Sequence, residues 1–267
     1  MKKVLTIAGS DCSGGAGVQA DLKTFSAHGV YGMSVIVSVV AENTSRVIDV
    51  QDISADIIEK QIDAIFEDID VDAVKIGMLS TPYSMVAVAD KLAQYKPKNV
   101  VVDPVMYAKD GHPLMAVDAI DLFVQRIVPL AYMLTPNVPE AEKITGMKIE
   151  NIADMEKACK EIYRLGPTNV LLKGGHLEGN SDDVLFDGNK FFYFKAKRIN
   201  TKNTHGTGCT LSSAIASNLA LGYDVDVAVS KAKDYITMAI EHSLEIGKGN
   251  GPTNHFYELY KKAGMGE

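Results

Sequence analysis

A short glycine-rich segment that carries a cysteine is the strongest sign of chemistry in this sequence. The segment is Thr204-His-Gly-Thr-Gly-Cys-Thr210, and it runs directly into an apolar-periodic stretch at 211–220. Glycines just ahead of a helix leave backbone N–H groups exposed and directed at one point, with the positive end of the helix dipole behind them. Such a segment is typical of an anion-binding site, and Cys209 lies in the first helical turn, where the same groups stabilise a thiolate. The alternative is an ordinary loop with two turn glycines and a buried thiol.

Polar residues follow three successive apolar runs in the middle of the chain. Asp103 ends the first of these runs, Asn137 and Glu140 follow the second, and Lys173 ends the third. Ligands of open α/β sheets bind at the carboxyl ends of the strands. Two carboxylates, an amide and a lysine at such an edge suit a nucleotide kinase, which needs oxygen ligands for hydrated Mg²⁺ and a cation for phosphate. Each residue alone also fits a structural use, as a strand terminator, a helix cap or a solvated side chain.

Two other nucleotide-binding motifs are disfavoured. Gly15-Ala-Gly-Val-Gln-Ala20 matches the dinucleotide pattern G-x-G-x-x-A, and Glu42 ends the next predicted strand. The first glycine of that pattern follows its strand immediately, whereas residues 10–14 intervene here. A Walker sequence, G-x-x-x-x-G-K-[ST], does not occur in the chain.

The elements that position these residues alternate between short apolar runs and longer amphipathic segments. The runs rich in Val and Ile predict strands at 4–8, 34–41, 73–76, 100–103, 132–135 and 169–173. Helical spacing predicts helices at 16–28, 55–69, 82–95, 118–128, 154–165, 211–221, 225–246 and 254–262. Residues 183–186 and 190–195 flank Asp187-Gly188, which predicts an antiparallel hairpin. The alternation of strand and helix predicts an α/β fold with a mostly parallel sheet covered on both faces.

Composition limits the classes of partner and compartment. The 267 residues carry a formal net charge of −7, which argues against a nucleic-acid groove. The three cysteines are far apart and odd in number, so they indicate neither a disulfide framework nor a metal site but a reducing cytoplasm. The apolar start of the chain is too short for a signal peptide, and no run approaches the roughly 20 residues of a membrane span. We expect no membrane and no nucleic acid among the partners, and one domain over residues 1–267.

Taken together, several segments resemble the hydroxymethylpyrimidine/phosphomethylpyrimidine kinases of thiamine biosynthesis, within the ribokinase-like superfamily. They lie at 5–11, 13–25, 75–79, 102–106, 135–142, 173–176, 204–210 and 251–256, and so span nearly the whole chain. The resemblance implies a three-layer α/β/α fold, a homodimer, and ATP with Mg²⁺. It also implies phosphorylation of a small heterocyclic alcohol, 4-amino-5-hydroxymethyl-2-methylpyrimidine, and then of its monophosphate.

The resemblance assigns roles to individual positions. Cys209 occupies the place of the catalytic base, and backbone donors for the transferring phosphoryl group come from Gly206, Thr207 and Gly208. Lys173 holds the ATP phosphates beside Asn137, while Asp103 and Glu140 organise Mg²⁺ and its waters. The positions that line the pyrimidine are Gly9, Asp21, Glu42 and Met78. Three further candidates to contact phosphates are His205, Lys202 and Lys109.

Glu42 departs from the family pattern, in which glutamine is common at this position. Glutamine offers a donor and an acceptor to an aminopyrimidine, whereas an ionised glutamate offers only acceptors. Pyridoxal kinase, a relative that also uses a cysteine in this loop, is therefore the alternative function. The segment at 41–44 and the stretch at 107–111 favour the pyrimidine, since both resemble the pyrimidine kinases. A non-catalytic vitamin-binding protein on the same scaffold is a third interpretation.

Overall fold

One sheet runs through the molecule and carries helices on both faces. The computed structural model describes residues 1–107, 111, 113–115, 119–176 and 181–265. The strands described are β1 (Lys3–Asp11), β2 (Tyr31–Glu42), β3 (Val47–Asp52), β4 (Ala73–Ile76), β5 (Val100–Val102), β6 (Met133–Leu134), β7 (Asn169–Leu172), β8 (Asp183–Phe186) and β9 (Phe191–Phe194). The α-helices described are α1 (Gly17–Ala27), α2 (Ala55–Phe66), α3 (Pro82–Tyr95), α4 (Ala119–Arg126), α5 (Val138–Thr145), α6 (Ile152–Tyr163), α7 (Thr207–Ala220), α8 (Val225–Glu241) and α9 (Tyr257–Ala263).

The strand order is β3-β2-β1-β4-β5-β6-β7-β8-β9. Strands β2, β1, β4, β5, β6 and β7 pair in parallel, as predicted, so their carboxyl ends lie along one edge. The predicted hairpin is confirmed, because β8 pairs antiparallel with both β7 and β9. Strand β3 was not predicted, and it pairs antiparallel with β2 at the opposite border of the sheet.

Alternation along each strand sends neighbouring side chains to opposite faces of the sheet. Val100 and Val102 pack in one core cluster with α2 to α6, whereas Val101 packs in a second cluster with α1, α7 and α8. The sheet is therefore the middle of three layers, which confirms the predicted α/β/α architecture.

The ends of several helices differ from the prediction. Helix α7 begins at Thr207, four residues before the predicted start, because Gly206 takes a left-handed φ of 77° and caps it. Helix α8 ends at Glu241 rather than at 246, since the chain turns back and the Leu244 N–H donates to the Pro252 carbonyl. Helix α5 was not predicted. The predicted helix at 118–128 begins outside the described residues, and its described part is α4.

Candidate active site

The start of α7 lies against two other segments that the sequence singled out. An added Cβ at Gly206 would lie 1.8 Å from the carbonyl oxygen of Gly15, so only glycine fits at this crossing. An added Cβ at Gly208 would lie 3.1 Å from Asp103 Oδ2 and 3.6 Å from Lys173 Nζ. The glycines therefore let the loop before α1 and the ends of two strands approach the helix N-terminus closely.

Thr207 is engaged within its own loop. Its N–H donates to the Thr204 carbonyl at 3.3 Å, and its hydroxyl donates to the same oxygen at 2.8 Å. In this conformation Thr207 does not offer the backbone donor that the sequence predicts. The corresponding predictions for Gly206 and Gly208 stay predictions.

A buried ion pair joins the ends of β5 and β7. Lys173 Nζ lies 2.7 Å from Asp103 Oδ1, and the Thr135 hydroxyl donates to the same oxygen at 3.2 Å. Burial acts to lower the pKa of Lys173, but the carboxylates of Asp103 and Glu140 outweigh it and raise that pKa. The lysine therefore carries its charge at neutral pH, in front of the N-terminus of α7.

Asn137 and Glu140 form a capping box at the start of α5. The Asn137 N–H donates to Glu140 Oε2 at 2.8 Å, and the Glu140 N–H donates to Asn137 Oδ1 at 2.9 Å. The structural use that the sequence left open is therefore present. Burial and the nearby Asp103 carboxylate raise the pKa of Glu140 to about 7, against the opposing effect of Lys173. Glu140 thus faces the Asp103–Lys173 pair as well as capping the helix.

Cys209 lies where two helices begin. The Gly17 N–H, at the start of α1, hydrogen-bonds the sulfur, which itself belongs to the first turn of α7. Burial nevertheless raises the pKa of the thiol to about 11, helped by the charges of Asp21 and Asp103 and opposed by Lys75. Burial therefore opposes the effect of the helix N-terminus on this sulfur, and the expected thiolate stays a prediction.

Of the four residues expected to line the substrate, Gly9 and Met78 contact each other, and Glu42 contacts the loop before α1. An added Cβ at Gly9 would lie 2.6 Å from Met78 Cε, so these two residues touch. Glu42 ends β2 and is half-buried. Its backbone contacts Cys12, whose thiol donates to the Glu42 carbonyl at 3.1 Å.

Asp21, the fourth of these residues, lies in the buried core. It is 0% exposed, and both of its oxygens lie 2.8 Å from Lys75 Nζ. It also accepts hydrogen bonds from the hydroxyls of Thr6 at 2.6 Å and Ser213 at 2.7 Å. Asp21 is therefore the buried counter-ion of Lys75 in this structure, and its expected role in lining the substrate stays a prediction.

The loop before α1 is organised by Asp11, which the sequence did not single out. Its carboxylate accepts the N–H groups of Ser13 at 2.7 Å, Gly15 at 3.0 Å and Ala16 at 2.7 Å. His205 Nε2 lies 2.8 Å from the same carboxylate, so the two glycine-rich loops are joined. Burial acts to raise the pKa of Asp11, but these hydrogen bonds outweigh it and hold that pKa well below its usual range.

Glu42 belongs to the same cluster. One ligand atom from each of Asp11, Glu42 and His205 lies within 4.8 Å of the others. His205 thus lies close to two carboxylates. Lys202, another candidate to contact phosphates, is exposed. Lys109 lies outside the described residues.

Two signals could have revealed the missed residues. Asp11 stands two residues before Ser13, the spacing at which an aspartate side chain accepts a backbone N–H in a turn. Lys75 stands inside β4, whose sequence is Ala-Val-Lys-Ile, and a lysine within a buried strand requires a partner.

Comparison with known proteins places the chain in a family. The sequence model of the family described as phosphomethylpyrimidine kinase matches residues 11–254. The thiamine biosynthesis bifunctional protein ThiED of Geobacter sulfurreducens is 50% identical over 253 residues, which cover 94% of this chain and 52% of that protein. The hydroxymethylpyrimidine/phosphomethylpyrimidine kinase of Rhizobium meliloti is 50% identical over 261 residues, which cover 96% of this chain and 98% of that one. The chain thus spans about half the length of the first relative and nearly all of the second.

A solved structure agrees with the fold. The ADP complex of pyridoxal kinase from Bacillus subtilis superposes with a TM-score of 0.91 and 40% sequence identity, over 97% of this chain and 99% of that one. Among the residues that the structure describes, no helix combines the length and apolar character needed to cross a membrane. Since the family match extends over most of the sequence and half of the aligned residues are shared with these relatives, the chain belongs to the phosphomethylpyrimidine kinase family.

Proposed function

We propose that this chain transfers the γ-phosphoryl group of ATP to the hydroxymethyl group of 4-amino-5-hydroxymethyl-2-methylpyrimidine, and then phosphorylates the monophosphate. The observation that carries this proposal is the meeting of Cys209, the N-terminus of α7 and the Asp103–Lys173 pair at one edge of the sheet. Family membership supports the reaction, and the ADP-bound relative supports ATP as the donor.

Phosphoryl transfer depends on positioning and on neutralising charge at the phosphoryl oxygens. The N-terminus of α7 supplies a positive dipole end and backbone N–H groups, of which those of Gly206 and Gly208 are our candidates. Lys173 lies in front of this helix end and holds a positive charge there, so it suits the γ-phosphate and β-phosphate. We infer that the transferred group lies between Lys173 and Cys209.

Cys209 is our candidate for the base. In its ionised form the sulfur takes the proton of the substrate hydroxyl, the freed oxygen forms its bond to the γ-phosphorus, and the bond from that phosphorus to the ADP oxygen breaks. A thiol with a pKa of about 11 gives a thiolate that is a stronger base than an ordinary thiolate. Only a small fraction of the Cys209 side chain is then ionised at neutral pH. The rate should therefore depend on how much thiolate the site allows.

Mg²⁺ fits the two buried carboxylates of the site. Asp103 is 2% and Glu140 is 6% exposed, and burial with the Asp103 carboxylate raises the pKa of Glu140 to about 7, so a cation between the two groups would favour the ionised form of Glu140. These two residues would hold the ion with its waters, and Asn137 would fix Glu140 through the capping box. The ion would add positive charge at the ATP phosphates.

Substrate recognition falls to Gly9, Asp21, Met78 and Glu42 in this proposal, with Asp21 acting from its buried position beside Lys75. His205 is our candidate to meet the phosphate of the monophosphate, because it belongs to the glycine-rich segment that begins α7 and joins it to the loop before α1.

We also infer that residues 1–267 form one domain, that two copies assemble as a homodimer, and that the protein works in the cytoplasm. A single sheet that joins residues 3–194 supports the first inference. Family resemblance supports the second. The free thiols of Cys12, Cys159 and Cys209 support a reducing compartment.

Pyridoxal phosphorylation is the second candidate function. Glu42 and the close superposition on a pyridoxal kinase favour it. The two functions share the phosphoryl-transfer machinery and differ only in the heterocycle.

ADP release by the purified protein tests the proposal. The assay supplies MgATP with the pyrimidine alcohol, its monophosphate or pyridoxal, and compares wild type with Cys209→Ala and Cys159→Ala. Turnover of both pyrimidines that Cys209→Ala reduces and Cys159→Ala retains would support the proposal. Turnover of pyridoxal alone would replace it with the second candidate, and no turnover of any of the three would leave a vitamin-binding protein.

A further inference from the structure

A fully buried lysine and aspartate lie in the core below the site. Lys75 of β4 and Asp21 of α1 are both 0% exposed, with Nζ 2.8 Å from each carboxylate oxygen. Taking two charges out of water costs free energy that their attraction often fails to recover. Apolar side chains fill the rest of β4, so packing alone gives no reason for a charge at this position.

Asp21 fixes this lysine relative to α7. The Ser213 hydroxyl donates to Asp21 at 2.7 Å, and Ser213 lies four residues after Cys209. Residues four apart lie on the same face of a helix, one turn apart. The ammonium of Lys75 is therefore held, through Asp21, beside the turn of α7 that follows Cys209.

Space at the end of β4 is kept for the same ammonium. An added Cβ at Gly77 would lie 2.7 Å from Lys75 Nζ, so a side chain at this position would force the ammonium to shift. The Thr6 hydroxyl holds Asp21 from β1 at 2.6 Å. Strands β1 and β4 and helices α1 and α7 thus all contribute to fixing one positive charge.

Charged groups face the first turn of α7 from several elements, among them Lys173, which follows β7. Lys75 of β4 acts to lower the pKa of the thiol, whereas Asp21 of α1 and Asp103 after β5 act to raise it. Of these three groups, Lys75 is the one that favours the ionised sulfur.

We propose that Lys75 is a positioning residue whose ammonium, held in place by Asp21, stabilises negative charge on the sulfur of Cys209. The use of that charge rests on the function proposed above, in which Cys209 is the base. The arrangement itself can be tested on the protein without ATP, substrate or Mg²⁺.

The experiment measures how fast iodoacetamide alkylates Cys209, identified by peptide mass spectrometry, from about pH 6 to about pH 10 in EDTA. Alkylation requires the thiolate, and a pKa change of one unit changes its fraction tenfold. Lys75→Met is expected to slow alkylation about tenfold at pH 8, whereas Asp21→Asn, which leaves the ammonium unbalanced, is expected to accelerate it severalfold. Lys91→Met, which breaks a lysine–aspartate pair between α3 and α2, is the control and should leave the rate at Cys209 unchanged.

Opposite signs for the two variants distinguish an electrostatic role from a structural one. If the pair only held the fold together, both variants would loosen the core and accelerate alkylation, and that result would overturn the proposal. An unchanged rate in Lys75→Met would overturn it as well. Should Lys75→Met not fold, the double variant with Asp21→Asn leaves no unpaired charge; slower alkylation supports the proposal, and an equal or faster rate overturns it.

ADP release by the same variants separates this inference from the proposed function. Slower alkylation in a protein that phosphorylates none of the three alcohols would support the role of Lys75 and reject the kinase. Normal phosphorylation with unchanged alkylation in Lys75→Met would reject Lys75 alone.

Discussion

At the residue scale, Cys209 combines a favourable position with an unfavourable environment. Two helix N-termini and Lys75 favour the thiolate, but burial raises the pKa of the thiol to about 11. Below that pH the thiolate fraction grows about tenfold per unit. We therefore expect kcat/KM for the pyrimidine alcohol to rise from about pH 7 to about pH 9, measured by ADP release at saturating MgATP.

Cys209→Asp is the matched comparison for this pH dependence. An aspartate stays ionised over the same range, so its profile should be flat above about pH 6 even though its rate differs. A wild-type profile that is as flat as that of Cys209→Asp would mean that Cys209 does not titrate in the reaction.

Gly208 separates activity from stability. An added Cβ would lie 3.1 Å from Asp103 Oδ2, so the carboxylate beside Lys173 would have to move by a few tenths of an ångström. Alanine is otherwise favoured over glycine in a helix by up to about 1 kcal/mol. Gly208→Ala should therefore lower kcat/KM at least about tenfold while Tm stays constant or rises. A parallel fall of Tm and activity would show that Gly208 matters for folding rather than for the site.

Glu42 is one of the two carboxylates that lie close to His205. Two carboxylates, Asp11 and Glu42, share the neighbourhood of His205, so Glu42→Gln removes one of two negative charges and adds a donor. We expect the variant to favour the pyrimidine alcohol over pyridoxal, measured as the ratio of their kcat/KM values. An unchanged ratio would show that Glu42 does not select the heterocycle.

At the element scale, the parallel strands were predictable and the short polar elements were not. Buried strands such as β4 and β5 read as apolar runs, because helices cover both of their faces. Strand β3 has exposed side chains at the border of the sheet, and α5 is held by its capping box rather than by a long apolar stripe. The periodicity of apolar residues therefore gives little indication of either β3 or α5.

The same distinction applies to the site. Residues at strand ends, such as Asp103 and Lys173, were predictable because topology alone gathers them. The ion pair of Asp21 was not predictable, because its partners, Lys75 and Ser213, come from distant segments whose pairing only the fold reveals. The burial that raises the pKa of Cys209 was not predictable for the same reason, since it depends on the whole surrounding core.

The loop between β1 and α1 gives an element-scale prediction. Asp11 accepts three backbone N–H groups of this loop and pairs with His205. Asp11→Asn places an amide N–H group against some of these backbone N–H groups, which lose their acceptor. We expect the variant to lower the free energy of unfolding by about 2 kcal/mol at pH 7. Urea unfolding followed by circular dichroism measures this loss.

The pH dependence of that loss is the control. Because the pKa of Asp11 is held well below its usual range in the fold, its contribution to stability is present above about pH 4 and is lost as the pH falls further. The difference in stability between wild type and Asp11→Asn should therefore narrow as the pH falls below about 4. A constant difference down to pH 2 would mean that the charge of Asp11 plays no part.

At the scale of the whole molecule, the site depends on both helical layers. Helices α1 and α7 belong to one face of the sheet, whereas α5 belongs to the other, and the strand ends between them carry Asp103 and Lys173. Because neither layer can leave the sheet without dismantling the site, we expect the two faces to unfold together. Cys159 reports on one face, since it is 0% exposed in α6.

In a Cys12→Ser/Cys209→Ser background, Cys159 is the single thiol of the chain and reacts with a disulfide reagent only when its surroundings open. Its exposure in urea should follow the same midpoint as the loss of helical circular dichroism, as expected of one cooperative unit. ATP at about 100 times its Kd, added without Mg²⁺, should move both midpoints by the same amount, equivalent to about 2.7 kcal/mol. If the thiol became reactive at lower urea than the helices are lost, or if ATP moved only one midpoint, the α6 face would be a separate folding unit and the single-domain proposal would be wrong.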